Sequence, residues 1–230
     1  MGQPARVERI RQMFDQVAPR YDVRNRFFSL NRDTAWRRRA ARRAELKPGE
    51  TALDLCCGTG KMAHELLPYV RPGGRVIGID FSPAMLGQAR QLEPAVEFRL
   101  ADVTQLHEMD GSVDAVTIAF GLRNIVDRET ALREMHRVLR RDGRLVILEL
   151  APPQSGPMMW AYRLYLSRFM PALAGLLSRD EGDAYHYLAQ SVHDFLQAEA
   201  LTSQLEQIGF RVSVERMTAG IVAIHTATKA

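Results

Sequence analysis

The sequence predicts an α/β domain built on a doubly wound, largely parallel sheet with helices on both faces, and three observations predict it. From Thr51 onward, short apolar runs rich in β-branched residues alternate with segments of helical period. A glycine-framed turn, Gly58-Thr59-Gly60, follows the first of these runs, and a lone carboxylate, Asp80, closes the second about twenty residues later. The length of 230 residues, with 46% hydrophobic and 25% charged side chains, suits one packed core.

Each element can be justified in turn. Helical patterns over Arg6–Val17 and Thr34–Leu46 precede the sheet, joined by the mixed polar and aromatic stretch "RYDVRNRFFSLNRD". Strands are expected at Thr51–Leu55, Arg75–Asp80, Val96–Ala101, Val113–Ala119 and Gly143–Leu150. After Asp80, Ser82 supplies an N-cap and Pro83 the first helical position. Asp127 caps a further helix in which Ala131, Leu132, Met135, Val138 and Leu139 share one face, and "RRDGR" turns the chain into the fifth strand. A helix over Leu196–Ile208 ends at Gly209. The alternating runs "FRVSVERM" and "GIVAIHTATK", separated by Thr218 and Ala219, form a closing antiparallel hairpin. Residues 1–230 thus make one domain, with an N-terminal helical cap over about 1–46 and a lid-like insertion over about 151–195.

Charge and cysteine content narrow the function. The formal charge is +4, and Arg37, Arg38, Arg39, Arg42 and Arg43 cluster on one predicted helix. Such a face is either solvated or meets an anionic membrane surface; without interleaved aromatic residues it does not predict nucleic-acid binding. The most apolar stretch, Met158–Leu177, is broken by Arg163, Arg168 and Pro171, short of the ~18–20 apolar residues of a membrane span. With polar, charged first residues and no secretory pattern, a cytoplasmic protein is expected. Cys56 and Cys57 are the only cysteines and are adjacent, so neither a disulfide framework nor a metal cage is expected.

The chemistry-bearing residues gather at the strand ends. Gly58 and Gly60 let backbone N–H groups approach a ligand without Cβ obstruction, and Asp80 stands where a carboxylate accepts from both ribose hydroxyls of an adenosine. "GTGKMA" also satisfies a dinucleotide pattern. Asp54 argues for a cation instead, because a carboxylate at the loop entrance repels a pyrophosphate but suits the ammonium and sulfonium of S-adenosylmethionine. Alternatively, it organises the loop as a hydrogen-bond acceptor. Asp102 in "RLADV" can accept from an adenine amino group, with Val103 offering its backbone, or is a surface turn carboxylate.

"LDLCCGTG", "GIDFSPAML", "FRLADV" and "DAVTIAFGLRNIVDRETALREMHRVLRRDGRLVILEL" together resemble class I S-adenosylmethionine-dependent methyltransferases with a Rossmann-like mixed sheet. "MFDQVAPRYDVRNRFFSL", "FGLRNIVD", "AYHYLAQSV" and "MTAGIVAIHTATK" narrow the resemblance to the UbiE/MenG quinone-biosynthesis C-methyltransferases, over nearly the whole chain. The resemblance implies S-adenosylmethionine as cofactor and a polyprenyl quinol as acceptor: demethylmenaquinol, or a methoxy-benzoquinol on the ubiquinone branch. It carries Thr59, Asp80, Asp102 and Val103 over as cofactor residues, and Ala119 stands where many relatives have serine.

A quinol ring carbon becomes nucleophilic when the neighbouring hydroxyl loses its proton, so the protein must favour that anion. Arg123 is expected beside the methyl, orienting and stabilising the quinolate; its pKa above ~12 makes it a poor base. Asn124 either bonds the same oxygen or caps a turn. For the base itself, His186, His193 and His225 are candidates or structural residues, and Tyr21 and Asp22 either line the acceptor mouth or make lid contacts. The insertion offers Met, Tyr and Phe side chains to an isoprenoid tail or to a core. A transient contact with the membrane surface follows from the acceptor, and a homodimer is left open. Other readings are a methyltransferase for another small lipid, an NAD-dependent dehydrogenase, and a non-enzymatic nucleoside-binding module.

Overall fold

The computed structural model describes residues 2–151, 191 and 198–230. Three helices come first: α1 (Gln3–Val17), α2 (Tyr21–Phe28) and α3 (Asp33–Arg43). The sheet region follows as β1 (Thr51–Leu55), α4 (Lys61–Val70), β2 (Arg75–Asp80), α5 (Pro83–Leu92), β3 (Glu97–Leu100), β4 (Val113–Ala119), α6 (Arg128–Val138) and β5 (Leu139–Leu150). The chain closes with α7 (Ala198–Ile208), β6 (Phe210–Met217) and β7 (Val222–Lys229). The strand order is β3-β2-β1-β4-β5-β7-β6. The first five strands are parallel, whereas β7 runs antiparallel to β5 and β6 to β7. The order reverses between β1 and β4, and a ligand crevice forms at such a switch point.

Alternation along the strands splits the core into two layers. Ala52, Ala115 and Val146 face α3, α4 and α5, packing with Ala40, Leu66 and Leu86. Leu53, Val116 and Ile147 face the other way onto Leu132, Met135 and Leu201 of α6 and α7. Ser82 caps α5 by accepting from Met85 N, and Asp127 caps α6 by accepting from Thr130 N, as the sequence predicts.

Two expectations are corrected, and the surroundings of a third feature are defined. The segment after Arg20 is helical, with Asp22 in the first turn of α2, where a carboxylate favours the positive end of the helix. The fifth strand starts at Leu139, because a register shift against β4 between Val113 and Ala115 absorbs the "RRDGR" stretch, with Asp142 at φ 60°. The arginine cluster of α3 is mostly ion-paired at a partly exposed surface: the side chains of Arg38, Arg39 and Arg43 are 60%, 43% and 41% exposed, and Arg42 is exposed. Arg37 is buried 2.7 Å from Asp33, Arg38 pairs with Glu65 at 3.2 Å, and Arg39 and Arg43 both bond Glu215.

Among the described residues no helix is long and apolar enough to cross a membrane. The apolar stretch 158–177, His186 and His193 lie outside the described residues.

Candidate active site

The carboxyl ends of the central strands open into a cavity of about 480 Å³, within the ~300–1,000 Å³ usual for small-molecule sites. β1 ends at Leu55, and the chain reverses through Cys56 at φ 50° and Gly58 at φ 55° before Gly60, at φ 83°, starts α4. A side chain on Gly58 would be strained, although no atom lies within 4 Å of where its Cβ would stand. At Gly60 a Cβ would also come to 2.8 Å from Phe98 Cζ, so backbone shape and packing both require glycine there.

Asp80 is buried at the end of β2 and held by two backbone donors. Gly58 N–H bonds Oδ2 at 2.8 Å and Ser82 N–H bonds Oδ1 at 2.9 Å. A carboxylate has about four acceptor positions, so each oxygen, fixed in direction, retains a lone pair for a ligand hydroxyl. Burial pushes its pKa up, and the donated N–H bonds act against that shift. Beyond β3, Asp102, Val103 and Thr104 form one wall; Asp102 Oδ1 accepts from both the N–H and the hydroxyl of Thr104, at 2.8 Å each. Ala119, Phe120, Gly121 and Asn124 form the opposite wall.

The roof is α1. Pro4, Val7, Ile10 and Phe14 line the cavity from above together with Tyr21, and Asp15 fastens the helix down. Its Oδ1 accepts from Ser82 Oγ at 2.6 Å and from Ala84 N at 3.3 Å, at the N-terminal end of α5. The N-terminal cap thereby closes the crevice that the strand ends open.

A model of the ubiE/COQ5 methyltransferase family matches residues 3–229. The chain belongs to that family. A demethylmenaquinone methyltransferase from Thermus thermophilus is 46% identical over 217 residues, covering 93% of this chain and 98% of the relative. A ubiquinone/menaquinone biosynthesis C-methyltransferase UbiE from Citrifermentans bemidjiense is 38% identical, over 96% of this chain and 97% of the relative. Among solved structures, a SAM-dependent methyltransferase from Thermotoga maritima superposes with a TM-score of 0.67 at 19% identity, covering 95% of this chain and 99% of that one. The fold is that of class I methyltransferases. Membership of the ubiE/COQ5 family sets aside the dehydrogenase and the non-enzymatic readings of the glycine loop.

The sequence-predicted residues divide into those at the cavity and those behind it. Asp80, Asp102, Val103, Ala119 and Asn124 line the cavity. Gly58 stands one step back, its N–H spent on Asp80. Thr59 is corrected: it is buried outside the lining, and its hydroxyl donates to Asp22 Oδ1 at 2.9 Å, tying the glycine loop to α2. Asp22 also pairs with Lys61 at 3.2 Å, so of Tyr21 and Asp22 only Tyr21 faces the cavity.

Asp54 is also corrected. It is fully buried on the α4 side of β1 and accepts from Thr117 Oγ1 at 2.9 Å. Burial pushes its pKa up to about 7 against the Thr117 bond, the Arg37 charge and the Ala63 N–H. It braces the strand end through Thr117 and lies outside the cavity lining. His225 is buried on β7, its Nε2 3.0 Å from Ala198 O, with burial lowering its pKa, and it does not line the cavity.

Arg123 requires the largest revision. It lies behind the cavity wall in the 3₁₀ turn Leu122–Asn124, where Nη1 bonds both Phe120 O and Glu149 Oε1, the latter at 2.8 Å. Glu149 and Phe120 escaped the sequence reading. A carboxylate inside the apolar run "LVILEL" was a usable signal, since a buried charge demands a partner. Phe120, held at φ 60° between Trp36, at 6.1 Å, and the Arg37 guanidinium, at 5.3 Å, left no sequence signal. Among the described residues no cluster of His, Cys, Asp and Glu is placed to hold a metal ion.

Proposed function

We propose that the protein moves a methyl group from S-adenosylmethionine to a ring carbon of a polyprenyl quinol, with demethylmenaquinol as acceptor. The observation that carries this reading is one cavity with two ends. Asp80, Asp102 and Val103 form a nucleoside-binding end, and the Ala119–Asn124 wall forms the other. The names of the relatives, demethylmenaquinone methyltransferase above all, support the ring and the menaquinone branch; the ubiquinone-branch acceptor is the second reading, favoured by the UbiE relative.

The residues present fit the cofactor. Asp80 offers fixed acceptor lone pairs, Asp102 and Val103 line the same cavity, and the open space beside Gly58 leaves the loop backbone approachable. When bound, S-adenosylmethionine supplies an electrophilic methyl on a positively charged sulfur. The remaining tasks fall to the chain. Asn124 faces the acceptor end and can donate to a quinolate oxygen, which favours charge on the adjacent ring carbon. Arg123 acts as a positioning residue, holding the Phe120 carbonyl and hence the turn that presents Asn124, while Glu149 compensates its charge. The α1 roof and Tyr21 exclude water. The acceptor's tail makes the membrane surface the place of reaction, through a transient contact, and no nucleic-acid partner is part of the reading.

Calorimetry with S-adenosylmethionine, S-adenosylhomocysteine and NAD tests the cofactor: binding of the first two and not the third is expected, and NAD binding alone would refute it. Mass spectrometry of the quinone pool in cells lacking the protein tests the acceptor. Accumulated demethylmenaquinone supports the menaquinone branch, and an unmethylated benzoquinone points to the other.

A further inference from the structure

Four of the α3 arginines are paired with Asp33, Glu65 and Glu215, and α3 carries no large exposed apolar side chain to enter a bilayer. α2 and the turn after it provide such side chains. Val23, Phe27 and Leu30 are 74%, 52% and 78% exposed; the i, i+4 spacing of Val23 and Phe27 puts these two on one face of α2, and Leu30 follows in the turn after it. The turn fixes Leu30 outward: Leu30 and Asn31 sit at φ 50° and 62°, held by Leu30 N–H to Phe27 O at 3.1 Å and Asn31 N–H to Arg26 O at 2.7 Å. An apolar side chain displayed to water from a left-handed backbone position gains nothing from the core it leaves.

Among the described residues, the exposed charges of this stretch are positive: Arg26 and Arg32 are exposed beside the apolar residues. Its two carboxylates turn inward, Asp22 to Thr59 and Lys61, and Asp33 to Arg37. Tyr21, the first residue of α2, lines the cavity, so the face adjoins the cavity.

We propose that Val23, Phe27 and Leu30, flanked by Arg26 and Arg32, form the surface by which this protein docks on an anionic lipid bilayer, bringing Tyr21 and the cavity to the lipid boundary. The proposal rests on the reading of the acceptor as a lipid quinol. Apolar side chains enter the boundary between headgroups and acyl chains, and guanidinium groups bind lipid phosphates. A second copy of the chain is a poorer occupant, because the face offers no exposed carboxylate of its own element to pair with a copy's arginines.

The test is co-sedimentation of the full chain with vesicles of phosphatidylcholine alone or mixed with phosphatidylglycerol, with neither quinone nor S-adenosylmethionine present. The protein should partition roughly tenfold or more in favour of the anionic vesicles. Phe27→Ser with Leu30→Ser should lower that partition by a similar factor, and Arg26→Glu with Arg32→Glu should erase the preference for anionic lipid. S-adenosylhomocysteine affinity checks that each variant folds. Phe27→Trp, which keeps the apolar character, gives a second readout: its emission should shift to the blue on anionic vesicles only. Retention of the serine and glutamate variants equal to that of the parent would overturn the proposal, as would an unshifted tryptophan. A concentration-dependent dimer lost in Phe27→Ser would assign the face to a second copy and overturn it as well. Methyl transfer to a short-tailed quinol in vesicle-free buffer tests the acceptor reading separately, since the docking variants should retain that activity.

Discussion

Arg123 Nη1 lies 2.8 Å from Glu149 Oε1, with the two side chains only 9% and 1% exposed, so the Ala119–Asn124 wall of the cavity stands on a buried ion pair. Glu149 Oε1 also accepts from Leu150 N at 3.0 Å, which fixes the carboxylate independently of its partner. Removing one partner of such a pair leaves a charge without compensation. Glu149→Gln should therefore destabilise the protein by about 3 kcal/mol, read from urea unfolding. Arg123→Lys should lower turnover by about tenfold or more while S-adenosylhomocysteine affinity stays within about twofold, because a flexible lysine amine does not reproduce the fixed position of the guanidinium Nη1 that bonds both Phe120 O and Glu149 Oε1. Equal losses of turnover and affinity would make Arg123 part of the cofactor site.

Asp80 is held in place from behind by Gly58 and Ser82. Asp80→Asn keeps the shape but can accept with one oxygen only, so cofactor hydroxyls lose a charged acceptor and one backbone N–H loses its partner. Hydrogen bonds to a charged group are worth ~1.5–3 kcal/mol, so calorimetry should show S-adenosylhomocysteine binding weakened by roughly tenfold to a hundredfold.

Asp54 makes stability depend on pH in an unusual direction for a carboxylate. Its pKa rises from 3.8 to about 7 on folding, so between those values the folded state binds more protons than the unfolded state. Stability therefore falls as pH rises through this window and is level above it. Asp54→Asn should flatten this slope and be at least as stable as the parent at pH 8. Urea midpoints measured across the window decide it; an unchanged slope would mean that Asp54 ionises normally.

Asp15 fastens α1 to α5 through Ser82 Oγ and Ala84 N. Asp15→Ala should cost about 1 kcal/mol, the usual value of a lost N-terminal cap interaction. Hydrogen exchange of α1 should speed up, and cofactor dissociation with it. Faster exchange throughout the sheet would indicate global loosening instead.

The closing hairpin turns through Thr218 and Ala219, both at positive φ, at 52° and 54°. Trp36 Nε1 donates to Thr218 Oγ1 at 2.9 Å, which holds the turn against α3. Glycine tolerates that backbone without steric cost, so Ala219→Gly should raise stability by about 1 kcal/mol in urea unfolding.

The sequence by itself determined the elements that obey a local rule. The strands from Thr51 and Val113, the caps at Ser82 and Asp127, the glycine loop and the carboxylate at Asp80 follow from periodicity, capping chemistry and spacing, all of which act over a few residues. Tertiary structure decided what each charge does. Asp54 and Arg123 looked like ligand-facing groups because they border the motif ends, yet one turns under the strand to Thr117 and the other turns to Glu149, 26 residues away in sequence. Of the α3 arginines, which read as an open basic face, Arg39 and Arg43 meet Glu215, far along the chain, at a partly exposed surface. The physical reason is common to the two buried charges. A charged side chain loses hydration when the fold buries it and takes the nearest compensating partner, and which partner is nearest depends on strand order and helix docking, which no local pattern in the sequence encodes.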